Sequence, residues 1–526
     1  MTNDARSNSP SRLLRFLDRV AAVGNRLPDP ITLFALLALG VVALSVVFAG
    51  TSADVIQRDG SVATKTVGSL LSRDGIRWIF SSAITNFTGF APLGSVLTVM
   101  LGIGVAERSG LVAMGLRIFV QSVPKQAITA ALVFAGVMSS MVADAGYVVL
   151  TPLGAVLFAG LGRHPLVGLA AAFAGVSGGF SANLFITGLD PLLAGITQEA
   201  ARAVDPAYTV NATANYYFMV ASTFLITIVG TIVTERIVAP MLGTWDRSKA
   251  SGDLPQADVV SDAERRAFRD AMVAAVVCTV GIGVLATPVS PLWDVAAEGA
   301  APLSTIEALA SFFDAIELLI AFLFLVPGIV YGARLGLVKS DRDVASMMSA
   351  TMATMGTYVV LAFAAAQFVA FFNHTNLGSI TAVKGAALLQ AVGLTGIPLL
   401  LAFLVVSATM NLFVGSASAK WAFMAPIFVP MMMYMGIGPE AVQATYRVGD
   451  SITNVITPLL PYIAIIIVFA RQYDRDAGLG TLIAAMVPYS VAFGIAWTVL
   501  LVLWIGMGLP LGPGVDVAYV MPTAAP

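Results

Sequence analysis

Seven runs of mostly apolar residues, each long enough to cross a bilayer, dictate what this chain can fold into: Ile31 to Phe48, roughly Asn86 to Val105, Tyr216 to Leu242, Ala271 to Thr287, Ile316 to Ala333, Ala345 to Phe372 and Leu482 to Ile505. Hydrocarbon offers backbone N–H and C=O groups no water, so such runs must be helices, which satisfy those groups internally. Charged residues are correspondingly scarce: they make up 11% of the 526 positions, where a soluble domain carries about 25%. The expected fold class is an all-α integral membrane protein. A net charge of −2 without a long basic block gives nucleic acid nothing to hold. The lone Cys278, set in VAAVVCTVGIGV, can form no internal disulfide and reads as a small packing residue.

Lysines and arginines orient the spans, because cytoplasmic flanks carry the excess of basic charge. Arg12, Arg15, Arg19 and Arg26 precede the first run, Arg108, Arg117 and Lys125 follow the second, and Arg247, Lys249, Arg265 and Arg266 lie in a polar connection. All of these can be cytoplasmic at once, together with Arg334, Lys339, Arg342, Arg471 and Arg475. Segments 290–313 and 509–526 contain no Lys or Arg and suit the opposite face. The connection 51–84, with Arg58, Lys65, Arg73 and Arg77, is the one exception to this map. Residues 1–30, basic but without an apolar core and small-residue cleavage site, read as a retained cytoplasmic segment.

Two regions, 124–190 and 388–460, do not parse as simple spans. Each reads as a re-entrant hairpin followed by a broken helix, which membrane proteins tolerate only around a protein-lined or wet cavity. Laid on one another, the regions align Pro152 with Pro426, Gly162 with Gly436, Pro165 with Pro439, Gly175 with Gly449 and Ser177 with Ser451, all at a single offset. After a short gap Asn183 meets Asn454. By the charge map the two copies enter the membrane from opposite faces, so the repeats are inverted, the arrangement in which secondary transporters bury their sites at mid-membrane. The expected layout is a first inverted repeat at 31–242 (hairpin about 124–161, broken helix about 165–190), a cytoplasmic linker at 243–270 and a linking span at 271–289. A second repeat follows at 314–508 (hairpin about 388–435, broken helix about 439–470), then a periplasmic tail at 509–526. That makes about nine transmembrane helices plus two re-entrant hairpins.

The breaks and tips carry the polar side chains. Asn411, Ser416 and Ser418 sit at the second tip, and Thr453, Asn454 and Thr457 at the second break. Ser139, Ser140 and Asp144, with Ser181, Asn183 and Thr187, form the matching first set. Oxygen-only donors among small residues suit sodium better than a transition metal, so two pseudo-symmetric sodium or proton coupling sites are expected. Ser and Asn also serve as packing glue between membrane helices. Asp450 is the strongest single candidate, since an intramembrane carboxylate is functional by default, and pairing with Arg447 one turn away is its structural alternative. Asp190 occupies a comparable place in the other repeat, where it is expected to contact the substrate or respond to a proton gradient, with capping of a helix that starts at Pro191 as its alternative. His164 and His374 fall in connections and read as surface residues. No P-loop, nucleophile elbow or HExxH pattern is present, so ATP-driven export and enzyme activity are disfavoured.

Three blocks, RFLDRVAAVGNRLPDPITLF, SGGFSANLFITGLDPLLAGIT and YRVGDSITNVITPLLPYIAIII, resemble the p-aminobenzoyl-glutamate transporter (AbgT) family, with a likeness over nearly the whole chain. The resemblance implies a multi-pass homodimer of the bacterial inner membrane, with two hairpins and interrupted helices per subunit. It also implies transport of p-aminobenzoyl-glutamate, p-aminobenzoic acid and sulfonamide antimetabolites, as efflux driven by a proton or sodium gradient. The layout is similar to that of sodium-coupled dicarboxylate symporters, the alternative within transport. No cofactor is expected beyond bound sodium. Partners are the small-molecule substrate, a coupling cation and lipid. Carried over from the family's site, Ser418, Trp421, Pro439, Arg447, Asp450 and Pro458 match in kind, with Trp421 expected to stack on the substrate ring and Arg447 to fork its carboxylate. Pro439, Pro458 and Pro461 are expected to shape the helix more than touch ligand.

Overall fold

The computed structural model describes residues 28–56, 61–141, 146–251, 260–296, 302–460 and 462–520. The first helix, α1 (Pro30–Val47), starts where Asp29 accepts a hydrogen bond from the Ile31 amide and Pro30 presets the first turn. A two-stranded antiparallel hairpin follows, β1 (Ser52–Ile56) and β2 (Val62–Thr66). Then come α2 (Arg73–Thr88), α3 (Ala91–Arg108) and α4 (Leu111–Ser122). The first re-entrant hairpin is α5 (Ile128–Met138) and α6 (Thr151–Gly160). The first broken helix is α7 (Pro165–Phe173), extended by a π turn over Ala174–Gly178, and α8 (Leu189–Ala201). A long helix, α9 (Tyr216–Leu242), closes this half.

After the connecting helix α10 (Asp262–Leu285) the same succession recurs. It comprises α11 (Ile316–Arg334), α12 (Asp341–Thr354), α13 (Gly356–His374) and α14 (Leu377–Ala391), then the second hairpin α15 (Gly396–Asn411) and α16 (Ala417–Met433). The second broken helix, α17 (Pro439–Asn454) and α18 (Ile463–Tyr473), and the long α19 (Leu479–Gly506) end it. Among the described residues seven helical segments are long and apolar enough to cross a membrane, and the helices entering each hairpin bend by 119° and 116°. With the two interrupted helices as the remaining crossings, the expected nine spans and two hairpins are in place.

The halves are inverted, and their packing shows it directly. Along α9 and α19, Phe218 meets the Trp504 ring at 5.7 Å, Ser222 accepts from Trp497 Nε1 at 2.7 Å and Thr234 bonds the Tyr489 hydroxyl at 2.6 Å. Numbers rise on one helix as they fall on the other, so two equivalent elements run antiparallel. The scaffold exchanges partners in the same way: α1 packs on α13 while α11 packs on α3, and α2 touches α13 while α12 touches α3. Gly102 makes the α3 to α11 crossing possible, since a Cβ there would lie 1.9 Å from the Ala321 carbonyl oxygen. At Gly168 a Cβ would lie 2.1 Å from Gly154 O, which presses the first hairpin onto α7.

Three local expectations are corrected. The span read as Asn86 to Val105 belongs to a longer run, Arg73–Arg108, divided into α2 and α3. Ser72 caps α2 early by accepting from Gly75 N, and Pro92, lacking an N–H, belongs in the first turn of a new helix. The run Ala345 to Phe372 is likewise two helices, with Met355 between them. The connection 51–84 is not a plain loop: alternating SADVI and VATKT form the paired strands, a pattern the Asp59-Gly60 dipeptide already favours.

Candidate functional site

Both breaks arise where the sequence withdraws support for a helix. Gly178 ends the π turn of α7 and Gly179 follows it, and Pro458 follows α17 by four residues and can donate no backbone bond. The breaks meet: Ser181 N donates to Ser451 Oγ at 3.2 Å. Each break is tied to its own hairpin tip. Asn183 Nδ2 donates to Ser140 Oγ at 2.9 Å while its Oδ1 accepts from Phe185 N. In the second half Asn411 Nδ2 reaches Asp450 O at 2.7 Å, Thr453 Oγ1 at 2.9 Å and Asn454 Oδ1 at 2.8 Å. Asp144 and Pro461 lie outside the described residues.

Between the halves is a cavity of about 300 Å³, lined by Tyr147 and Phe180 from the first repeat and by Ser416, Ser418, Asn454 and Tyr462 from the second. The Tyr147 and Tyr462 rings stack with centroids 4.4 Å apart, so one aromatic wall is contributed jointly by both repeats. Ser416 caps α16 through Ala419 N at 3.3 Å, which aims the helix N-terminus of the second hairpin at this region. A larger groove, about 440 Å³ between α4, α5, α10 and α11, is lined almost wholly by carbon. It lacks the convergent polar groups that orient a ligand.

Two buried ion pairs stand beside the cavity, and neither is the pairing that helix spacing suggests. Arg447 Nη1 donates to Asp190 Oδ1 at 2.6 Å, across the repeats, and not to Asp450. Asp190 Oδ2 accepts from Thr187 N at 2.6 Å and Thr187 Oγ1 at 2.8 Å, so Asp190 both anchors the start of α8 and balances the guanidinium. Asp450 Oδ1 instead accepts from Lys420 Nζ, whose other bond goes to Asn411 Oδ1 at 2.6 Å. Asn454 Nδ2 approaches Asp450 Oδ2 at 3.4 Å. All four charged side chains are nearly inaccessible, at 4% exposure or less. Four buried charges without partners would be prohibitively costly in this setting, and pairing is what makes them tolerable.

Trp421 is fully buried and does not line the cavity. Its Nε1 donates to Thr197 Oγ1 at 3.0 Å, and its ring lies 4.5 Å from that of Tyr446, so it braces the second hairpin against α8. The polar chain continues through Gln443 Nε2 to Asn215 Oδ1 at 2.9 Å and Asn215 Nδ2 to Glu440 O at 2.9 Å. There Tyr208 donates its hydroxyl to the Glu440 carboxylate at 3.0 Å, and burial, then the adjacent negative charge, raises the Tyr208 phenol above its ordinary pKa. Pro439 is buried at the start of α17, and Thr453 and Thr457 face the second tip through Ala408 O and Leu412 O. Of the residues that sequence reasoning missed, Lys420 had a legible signal: it is a lone cation in the apolar run AKWAFMAP. Tyr147, Phe180 and Tyr462 had none that separates them from packing aromatics.

Comparison with known proteins matches residues 15–519 to the AbgT transporter family. The p-aminobenzoyl-glutamate transport protein of Escherichia coli (strain K12) is 34% identical over 517 residues, covering 98% of this chain and 99% of the relative. The Alcanivorax borkumensis YdaH transporter superposes with a TM-score of 0.83 at 43% identity, covering 92% of this chain and all of the other. The structure of Neisseria gonorrhoeae MtrF, described as illuminating a class of antimetabolite efflux pumps, superposes with a TM-score of 0.88 at 44% identity over 95% of this chain.

Proposed function

Since the chain belongs to the AbgT transporter family, we propose that it carries p-aminobenzoyl-glutamate, p-aminobenzoic acid and related aromatic carboxylates, and sulfonamide antimetabolites, outward, driven by a proton or sodium gradient. It is a multi-pass membrane transporter and not an enzyme. The observation that carries the substrate reading is the cavity between the repeats, with aromatic faces from Tyr147, Phe180 and Tyr462 and hydroxyl or amide groups from Ser416, Ser418 and Asn454. An aryl ring needs flat apolar contact, and a carboxylate needs donors and nearby positive charge, here the N-terminus of α16. A small aliphatic dicarboxylate would use the donors but leave the aromatic wall unemployed, so the symporter alternative is the poorer match.

The test is flux in proteoliposomes, with sodium and proton gradients imposed separately. Saturable counterflow of p-aminobenzoyl-glutamate and p-aminobenzoate is expected, with succinate excluded. Tyr147→Ala or Tyr462→Ala should lower substrate affinity about tenfold, roughly the 1.4 kcal/mol a lost aromatic contact supplies. Non-saturating flux, or equal transport of succinate, would remove the proposal.

A further inference from the structure

We propose that Lys420 supplies, from within the chain, the cation that the second helix break would otherwise take from solution. The donors expected to coordinate sodium there are Asn411, Ser416, Thr453, Asn454 and Asp450. In the structure a single positive charge already sits among them, because the Lys420 ammonium bonds both the Asn411 side-chain oxygen and the Asp450 carboxylate. Once the Asn411 oxygen is turned to the ammonium, its amide nitrogen is left to donate to Thr453 Oγ1, Asn454 Oδ1 and the Asp450 carbonyl. The two amide hydrogens are shared among those three oxygens, so the cluster is already hydrogen-bonded around the tethered ammonium. An ammonium and a sodium ion carry the same charge and both take hard oxygen partners, so one can stand in for the other.

The repeats differ at this point. At the offset that aligns Pro152 with Pro426, Lys420 falls on Gly146. That position has no side chain and no room for one, since a Cβ there would lie 2.1 Å from Ser139 Oγ. Among the described residues the first repeat thus has no counterpart of this tethered cation at the aligned position, so the two repeats differ in charge there. The surroundings of Lys420 leave the pair self-contained: Arg447, a nearby cation on α17, is taken up by Asp190, and the Tyr446 ring lies 5.5 Å from Nζ. The assignment deepens the reading of the chain as an ion-coupled carrier and rests on it for its meaning. Its test needs no transport.

The experiment uses the purified full-length protein in detergent, with thermal stability and radioactive sodium binding measured in sodium chloride against choline chloride. Wild type and Lys420→Arg should respond to sodium alike. Lys420→Ala and Lys420→Gln should gain a sodium-specific rise in melting temperature and bind about one sodium ion more per chain than wild type, as ligand linkage requires. Adding Asp450→Asn to Lys420→Ala should erase that gain. A Lys420→Ala protein with the sodium response of wild type overturns the assignment. So does one that fails to fold at every sodium concentration while Lys420→Arg folds. Absence of p-aminobenzoyl-glutamate counterflow by the wild-type protein, alongside an intact sodium gain in Lys420→Ala, would count against the substrate reading and leave this assignment standing.

Discussion

Arg447→Leu abolishes transport and costs roughly 3–5 kcal/mol of stability, the penalty for leaving a buried carboxylate without its cation. The carboxylate is that of Asp190, 257 residues away in the other repeat, so the pair holds α8 and α17 together where the two breaks meet. Asp190→Asn should do comparable damage, while the neutral double variant Asp190→Asn/Arg447→Leu should regain much of the lost stability without regaining flux. Thermal unfolding of all four proteins gives the coupling energy as a double-mutant cycle. Additive losses would mean that the two side chains do not act as a unit.

The second large effect is expected at Asp450. Asp450→Asn strands the Lys420 ammonium, which is wholly inaccessible, and removes the acceptor that ties α16 to α17. Flux should vanish and stability should fall by a similar ~3–5 kcal/mol. Lys420→Met combined with Asp450→Asn removes both charges, and should restore folded protein in size-exclusion chromatography yet remain inactive in proteoliposomes. Recovery of transport in that double variant would reduce the pair to a structural brace.

The architecture was legible in the sequence because it is written in features that act locally. Apolar run length places the spans, and glycine and proline at 178–179 and 458 mark the breaks. The shared offset of five glycine, proline and serine positions exposes the duplication. Partner choice inside the membrane was not legible. Spacing along α17 puts Arg447 and Asp450 on one face and suggests that they pair, but buried charges follow whichever opposite charge the tertiary fold brings within hydrogen-bond reach. Here Arg447 turns to Asp190 and Asp450 to Lys420. Trp421 illustrates the same limit: its position one residue past Lys420 says that it is near the tip, not whether the indole faces the cavity or packs behind it. Tyr147 and Tyr462 become recognisable as one wall only when the two repeats are brought face to face.

The central claim is that substrate sits in the cavity between the repeats, at the second hairpin tip. The most direct measurement is modification of Ser418→Cys, in a Cys278→Ser background, by a membrane-impermeant thiol reagent with and without substrate. The account predicts that saturating p-aminobenzoyl-glutamate slows the reaction at Ser418→Cys and leaves unchanged the reaction at Thr279→Cys, which lines the larger apolar groove. Protection at Thr279→Cys with none at Ser418→Cys would contradict it.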